Sequence, residues 1–313
     1  MARFSFILRR LVQLIPVAFG ISIISFFLIH LIPGDPVAAI LGNHYTAQTA
    51  AAMRAYLGLD KPLPVQYLVF LGHLFQGNLG DSIYYEQSVT SLILDRLPAT
   101  IWLVTYAAVL ALLLTITLGV YSGLKRNSIG DQLIRGTFMV ALAMPAFWTG
   151  IMLIILLSVK VHLFPVSGFG QDIPDHLWHL FLPALTIALG FSAIMIRSLR
   201  NSVLQVLRTD YVETARAKGL PFRLILQRHI LRNALLSTVT IFGVNIAFLM
   251  GSTVIIENVF ALGGIGQLLV SSILQRDYAV VQGITLLLAL FVVGINLLTD
   301  VVYTLLDPRV TYD

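Results

Sequence analysis

Residues 99–124 read ATIWLVTYAAVLALLLTITLGVYSGL, 26 consecutive positions without Asp, Glu, Lys or Arg. As an α-helix this stretch is about 39 Å long at ~1.5 Å per residue, more than the ~30 Å hydrocarbon core of a bilayer. Inside lipid every backbone N–H and C=O must be paired by the chain itself, which only helices and closed barrels achieve. The apolar residues are continuous rather than alternating, so the helix is the reading.

Working outward, five further windows share this character: residues 11–33, 136–159, 177–196, 234–256 and 279–299. The chain is therefore expected to be an all-α integral membrane protein with six transmembrane helices. Composition agrees, with 58% hydrophobic and 11% charged residues and a mean hydropathy of +0.88. An ordinary soluble domain is about 45–50% apolar and about 25% charged. Arg9 and Arg10 precede the first window as they would in a signal peptide. Its apolar run exceeds the ~7–15 residues of a signal core, so an uncleaved span is expected.

The formal net charge is +5, but in a membrane protein the placement of cations matters more than their sum. With the N-terminus inside, 15 of the 20 Lys and Arg fall on the cytoplasmic side; Arg54, Lys61, Arg96, Lys160 and Arg276 fall outside. Both termini are expected in the cytoplasm. The expected organisation is an N-terminus and first span (1–33), an extracytoplasmic insert (34–95), a membrane core (96–306) with a cytoplasmic loop at 197–233, and a tail (307–313). In the insert, residues 46–57 read as an amphipathic helix with Ala50, Ala51, Met53 and Leu57 on one side.

The loop at 197–233 holds more cations than any other segment. Asp210-Tyr211-Val212-Glu213 has the form of a capping box, in which Asp210 accepts from the N–H of Glu213 and Glu213 reaches back. The helix so begun, 211–218, would end at Gly219 with Pro221 just beyond. A second stretch, 222–236, spaces Leu224, Ile225, Ile230, Leu231 and Ala234 at near-helical intervals. Two readings stand on this evidence: a basic helix pair on an anionic leaflet, or a docking element whose small residues admit another surface.

Glu213-Thr214-Ala215-Arg216-Ala217-Lys218-Gly219 resembles the EAA signature of ABC-importer permeases. With Arg228-His229-Ile230-Leu231-Arg232-Asn233-Ala234 it is similar to the dipeptide/oligopeptide/nickel branch of the binding-protein-dependent inner membrane components. Ile32-Pro33-Gly34-Asp35-Pro36, Pro145-Ala146-Phe147-Trp148, Leu182-Pro183-Ala184-Leu185 and Asp307-Pro308-Arg309 extend the likeness along nearly the whole chain. The chain departs from the branch at Thr214, at Gly77-Asn78-Leu79-Gly80 and at Ala261-Leu262-Gly263-Gly264-Ile265-Gly266. The resemblance implies a type-1 importer permease fold and a coupling helix in which Asp210, Tyr211, Glu213, Ala215, Ala217, Lys218 and Gly219 meet an ATPase. It also implies a homologous second permease subunit, two cytoplasmic ATPase subunits carrying ATP and Mg, and an extracytoplasmic solute-binding protein. Di- or oligopeptides are the expected cargo, with nickel complexes or glutathione as alternatives.

The sequence contains no phosphate-cradling Gly-x-x-x-x-Gly-Lys-Ser/Thr, no His-Glu-x-x-His and no Gly-x-Ser-x-Gly. No enzyme activity, cofactor or metal site is expected on this chain. His176 and His179, three residues apart, are read as interfacial rather than as metal ligands. Asn245, Asn296 and Asp300 are candidates for a solute path or for interhelical hydrogen bonds, and His30 falls with them as a polar group near a span end. An ion-coupled secondary transporter is the rival class; it calls for ionisable residues at mid-membrane, and the six windows hold no Asp, Glu, Lys or Arg.

Overall fold

The computed structural model describes residues 2–31, 37, 41, 45–56 and 58–306, with the backbone alone for residues 2–11, 28–31, 56, 236, 237, 244, 247 and 300–306. The motifs at 32–36 and 307–309, Leu57, and the side chains of His30 and Asp300 lie outside that description. In chain order the helices are α1 (Ala2–Leu31), α2 (Ala47–Tyr56), α3 (Leu63–Phe75), α4 (Val89–Leu124), α5 (Ile129–Ala143), α6 (Ala146–Leu153), α7 (Ile173–Val206), α8 (Asp210–Ala217), α9 (Phe222–Ile225), α10 (Arg232–Val259), α11 (Ile265–Leu274) and α12 (Tyr278–Leu306). Two π-helical turns, Ile154–Lys160 and Leu226–Leu231, follow α6 and α9. No strand occurs among the described residues beyond an isolated Asp81–Ser88 bridge.

Among the described residues, three stretches are long and apolar enough to cross a membrane alone: Val89–Leu124, Ile173–Val206 and Tyr278–Thr299. The pairs Ile129–Ala143 with Ala146–Lys160, and Phe222–Gly243 with Phe248–Val259, make five if each counts as one span. The expected span at 136–159 falls on two helices with a bend of 112° between them. Pro145 is the cause. It has no N–H to give and drives the preceding residue out of the helical region, and Met144 stands extended at ψ 136°. Pro183, by contrast, lies inside an unbroken α7.

The chain forms two compact units: residues 1–98 with 264–294, and residues 99–263 with 295–313. In the first, Val89, Leu92, Ile93, Ile265, Leu268, Val280 and Ile284 make the core. Asp277, itself buried, accepts from Ser82 Oγ and the Tyr84 N–H, and its Oδ1 faces the Val280 N–H at the start of α12. In α2, Thr46 and Thr49 cap each other reciprocally, Ala50 is buried and Met53 half-buried. Ala51, expected beside them, is exposed: it is one residue, about 100°, around the helix from Ala50.

In the second unit α7 is the central element, with α5, α6 and α10 packed on it. Leu180, Leu182, Ile187, Leu249, Ile256 and Phe260 form one buried cluster with Leu103 and Ala107. In lipid such contacts gain by close packing rather than by leaving water. Gly119 and Gly123, four apart on α4, allow α4 and α7 to approach closely: a Cβ on Gly123 would stand 2.7 Å from Val203 Cγ1 of α7. The atypical segment after α10 resolves into a C-terminal cap, where Ala261 takes a left-handed φ of 46° and the Leu262 N–H reaches Glu257 O at 3.0 Å.

Candidate coupling surface

Helix α8 begins at Asp210, one residue earlier than expected. Thr209 is the N-cap, with ψ 146°, and its carbonyl takes the N–H groups of Val212 and Glu213 at 3.0 and 3.2 Å. The Thr209 hydroxyl turns back to Val206 O at 2.7 Å, closing the end of α7. The capping box read on Asp210 is therefore not formed. Asp210 and Glu213 instead lie in the first turn, where carboxylates favour the positive end of the helix dipole.

The other end follows the glycine signal. Gly219 has φ 72°, its N–H bonds Arg216 O at 2.9 Å, and the Leu220 N–H bonds Ala215 O at 3.2 Å. This 6→1 and 5→2 pair is a Schellman cap, which needs a left-handed residue after the helix.

One side of α8 holds it to the protein. Val212 and Ala215, three apart, are 0% and 5% exposed and pack with Leu199, Val203, Ile225, Ile230 and Ala234. Ile225 and Ile230 share that face although five residues separate them, because the π-turn between them sets an i→i+5 repeat. Of the residues predicted to meet a partner, Asp210, Tyr211, Glu213, Ala217, Lys218 and Gly219 are exposed. Ala215 is the exception: its small side chain serves packing onto the chain itself. Arg208, Arg216, Arg223, Arg228 and Arg232 are exposed around the same loop.

A buried ion pair lies at the root of this loop, and the sequence reading passed over it. Asp131 of α5 is 0% exposed and Arg200 of α7 9%. Arg200 Nε and Nη2 each donate to one carboxylate oxygen at 2.8 Å. Ser122 Oγ and the Asn127 N–H also donate to Asp131, and Arg135 stands 3.6 Å away. Glu257, fully buried, accepts from Thr100 Oγ1 at 2.6 Å and was likewise missed.

Beside the bend at Pro145 lies a cleft of about 400 Å³ lined by Met144, Thr149, Thr186, Phe191, Asn245 and Phe248 among others. Its polar groups bond within their own helices: Asn245 Nδ2 donates to Ile241 O at 2.8 Å, and Thr186 Oγ1 to Leu182 O at 2.8 Å. Asn245 is thus brought to the cleft, while Asn296 is exposed on α12. His176 stacks on Phe169 with ring centres 4.0 Å apart, and His179 Nδ1 lies 3.0 Å from Asp175 Oδ1. Among the described residues no group of three or more His, Cys, Asp or Glu gathers to hold a metal.

Residues 115–312 match the family described as binding-protein-dependent transport system inner membrane component, and residues 1–104 match its N-terminal counterpart. The chain belongs to this family. The permease is 39% identical over 314 residues to the oligopeptide transport system permease protein AppB of Bacillus subtilis, covering 98% of this chain and 99% of that one. It is also 39% identical over 332 residues to the di/tripeptide transport system permease protein DppB of Pseudomonas aeruginosa, covering 98% and 99%. Its fold is that of the inward-facing MetNI methionine ABC transporter, with a TM-score of 0.57 at 18% identity over 69% of this chain and 96% of that chain. The permease is thus an all-helical ABC-importer membrane subunit.

Proposed function

We propose that this permease carries di- or oligopeptides inward as one of a pair of membrane subunits, with α8 as the element through which ATPase subunits act on it. The observation that carries this is the construction of α8. It is a short helix capped at both ends, pinned by Val212 and Ala215 to the continuation of α7, and exposed along Asp210, Tyr211, Glu213, Ala217, Lys218 and Gly219. A connecting hairpin needs none of this. The likeness to two peptide permeases at 39% identity over nearly the full chain supports the choice of cargo.

In this reading the chain has six spans with both termini inside, and residues 34–95 lie on the outer side. The core at 96–306 lines the path against a homologous second permease. Asn245 in the cleft belongs to that path; Asn296 and Asp300 supply polar contacts between helices or at the interface. ATP and Mg act on the partner ATPases, and an external binding protein delivers the peptide. ATP binding draws the α8 helices together and opens the path outward; hydrolysis resets it. Nucleotide drives this only by binding one state more tightly than the other.

The test reconstitutes the permease with its partners and measures ATPase stimulation by the peptide-loaded binding protein. Gly219→Trp, placing bulk on the exposed end of α8, is expected to reduce stimulation to the basal rate. Stimulation equal to wild type would overturn the docking assignment. Thermal shifts of the binding protein with dipeptides, longer peptides, glutathione and nickel decide the cargo.

A further inference from the structure

Helix α3 carries large apolar side chains on two opposite sides. Leu63–Phe75 reads LPVQYLVFLGHLF, without Asp, Glu, Lys or Arg, and none of its residues is fully buried. Val65, Leu68, Val69 and Phe75 form a stripe at i, i+3, i+4 and i+10, 40%, 66%, 44% and 87% exposed. The opposite stripe, Tyr67 and Phe70, packs on α1: Tyr67 meets the rings of Phe19 and Phe26 at 5.9 and 5.4 Å, and Phe70 meets Phe26 at 5.9 Å. Tyr67 Oη and Ser22 Oγ share a hydrogen bond of 2.8 Å. A water-facing helix carries one apolar stripe and one polar one. An outward row of four large apolar side chains is a surface that needs a partner.

The depth of that contact identifies the partner. On α1, Ser25 Oγ donates to Gln282 O and Gln282 Nε2 donates to Ser25 O, both at 3.2 Å. Gln282 is four residues into α12 from Tyr278. Ser22 lies three residues back along α1 from Ser25, about 4.5 Å at ~1.5 Å per residue. With α1 and α12 taken as antiparallel spans, Tyr67 meets α1 about 10 Å below the outer start of α12, within the ~30 Å hydrocarbon core. The outward stripe of α3 is continuous in character with α1 itself, where Ile15, Phe19, Ile24 and Phe27 are exposed.

We propose that α3 is embedded in the outer leaflet alongside α1, with Val65, Leu68, Val69 and Phe75 against lipid acyl chains rather than in the aqueous external segment. Two of its polar side chains agree with that placement, while His73 is exposed in the last turn, toward the end of the helix. Gln66 Nε2 is spent on Leu59 O and Lys61 O at the entry turn, and the Tyr67 hydroxyl on Ser22. The inference rests on α1 being a span with its N-terminus inside.

The chain has no cysteine, so single-cysteine variants give unique labelling sites in an importer whose other subunits are made cysteine-free. Nitroxides at Leu68→Cys, Phe75→Cys, Ile24→Cys and Lys61→Cys are compared in phosphatidylethanolamine/phosphatidylglycerol liposomes. Relaxation by oxygen, which partitions into lipid, is set against relaxation by a water-soluble nickel chelate. Labels at 68 and 75 are expected to favour oxygen like that at 24, with 61 favouring the chelate. Chelate access at 68 and 75 with oxygen access at 24 would place α3 in water and overturn the proposal alone. Chelate access at 24 as well would remove α1 as a span, and the proposal with it. Shielding of 68 and 75 from both reagents would mean that a protein subunit covers α3, which also overturns it.

Discussion

Arg200 stands on α7 between Leu199 and Val203, the residues on which α8 rests, and it grips Asp131 of α5 through two 2.8 Å bonds. The anchor of the exposed helix and the first turn of the bent α5–α6 pair are thereby joined through one side chain. Ser122 and the Asn127 N–H fill the remaining acceptor positions of the carboxylate. A buried ion pair is tolerated when its lone pairs and protons are satisfied in this way.

Removing one partner is expected to be far worse than removing both. Asp131→Ala or Arg200→Ala leaves a buried charge without its counterpart, which costs about 3–5 kcal/mol. Combining Asp131→Asn with Arg200→Gln is expected to cost less than the sum of the two single changes, a sign of direct coupling. Arg200→Lys loses the two-pronged geometry and is expected to fall nearer to Arg200→Ala than to wild type. Thermal unfolding followed by the fluorescence of Trp102, Trp148 and Trp178 in detergent checks all three.

Gly219 and Arg276 occupy the same position after their helices, and they predict opposite signs. Both are left-handed, at φ 72° and 57°, and both close a Schellman pair, for Arg276 with Ile273 O and for Asp277 with Ser272 O. A side chain in that region costs about 1–2 kcal/mol. Gly219→Ala is expected to destabilise by about 1 kcal/mol, with open space around the new methyl. Arg276→Gly is expected to stabilise by up to about 1 kcal/mol, the gain reduced by glycine's freedom in the unfolded chain. Shifts in the denaturation midpoint read both. Gly219→Ala also separates backbone strain from bulk: with the partner ATPases present it is expected to retain the stimulation that Gly219→Trp loses.

How much of this was legible in the sequence depends on which signal each residue sends. The continuous apolar run at 99–124 leaves little alternative to a helix, and Gly219 followed by Pro221 marks a helix end that the structure keeps. The start of α8 was misplaced by one residue: the cap was read on Asp210, whereas Thr209 takes that position with its hydroxyl finishing α7, a contact that spacing does not encode. Asp131 and Glu257 were hidden by the method of reading. Windows drawn to exclude charge end at Gly136 and Ile256, so the carboxylates just outside them passed as loop residues, though each is wholly buried. The five-residue step from Ile225 to Ile230 needs a π-turn, which a 3.6-residue template cannot anticipate.

The approach of α4 to α7 depends on the absence of a side chain at Gly123. A Cβ there would lie 2.7 Å from Val203 Cγ1 and 3.3 Å from Arg200 O, and backbone cannot yield as a side-chain end can. Gly123→Ala is expected to destabilise by about 1–3 kcal/mol, as overpacking does. Val203→Ala in the same chain is expected to restore part of that loss, although Val203→Ala alone opens space and destabilises. Equal melting temperatures for Gly123→Ala and wild type would mean that the two helices are not in contact here.

Asp277 supports two segments at once, so its replacement is expected to loosen both. Its carboxylate receives Ser82 Oγ and the Tyr84 N–H from residues 82–84 and faces the Val280 N–H in the first turn of α12. It is 2% exposed, so water cannot replace these bonds at little cost. Asp277→Asn keeps the size and one acceptor oxygen and is expected to lose about 1 kcal/mol; Asp277→Ala, which removes the cap altogether, about 2 kcal/mol. Hydrogen exchange distinguishes this dual role from simple capping. The amides of Tyr84 and Tyr85 are expected to exchange faster together with those of Val280 and Val281. A change confined to α12 would show that Asp277 holds the helix start alone.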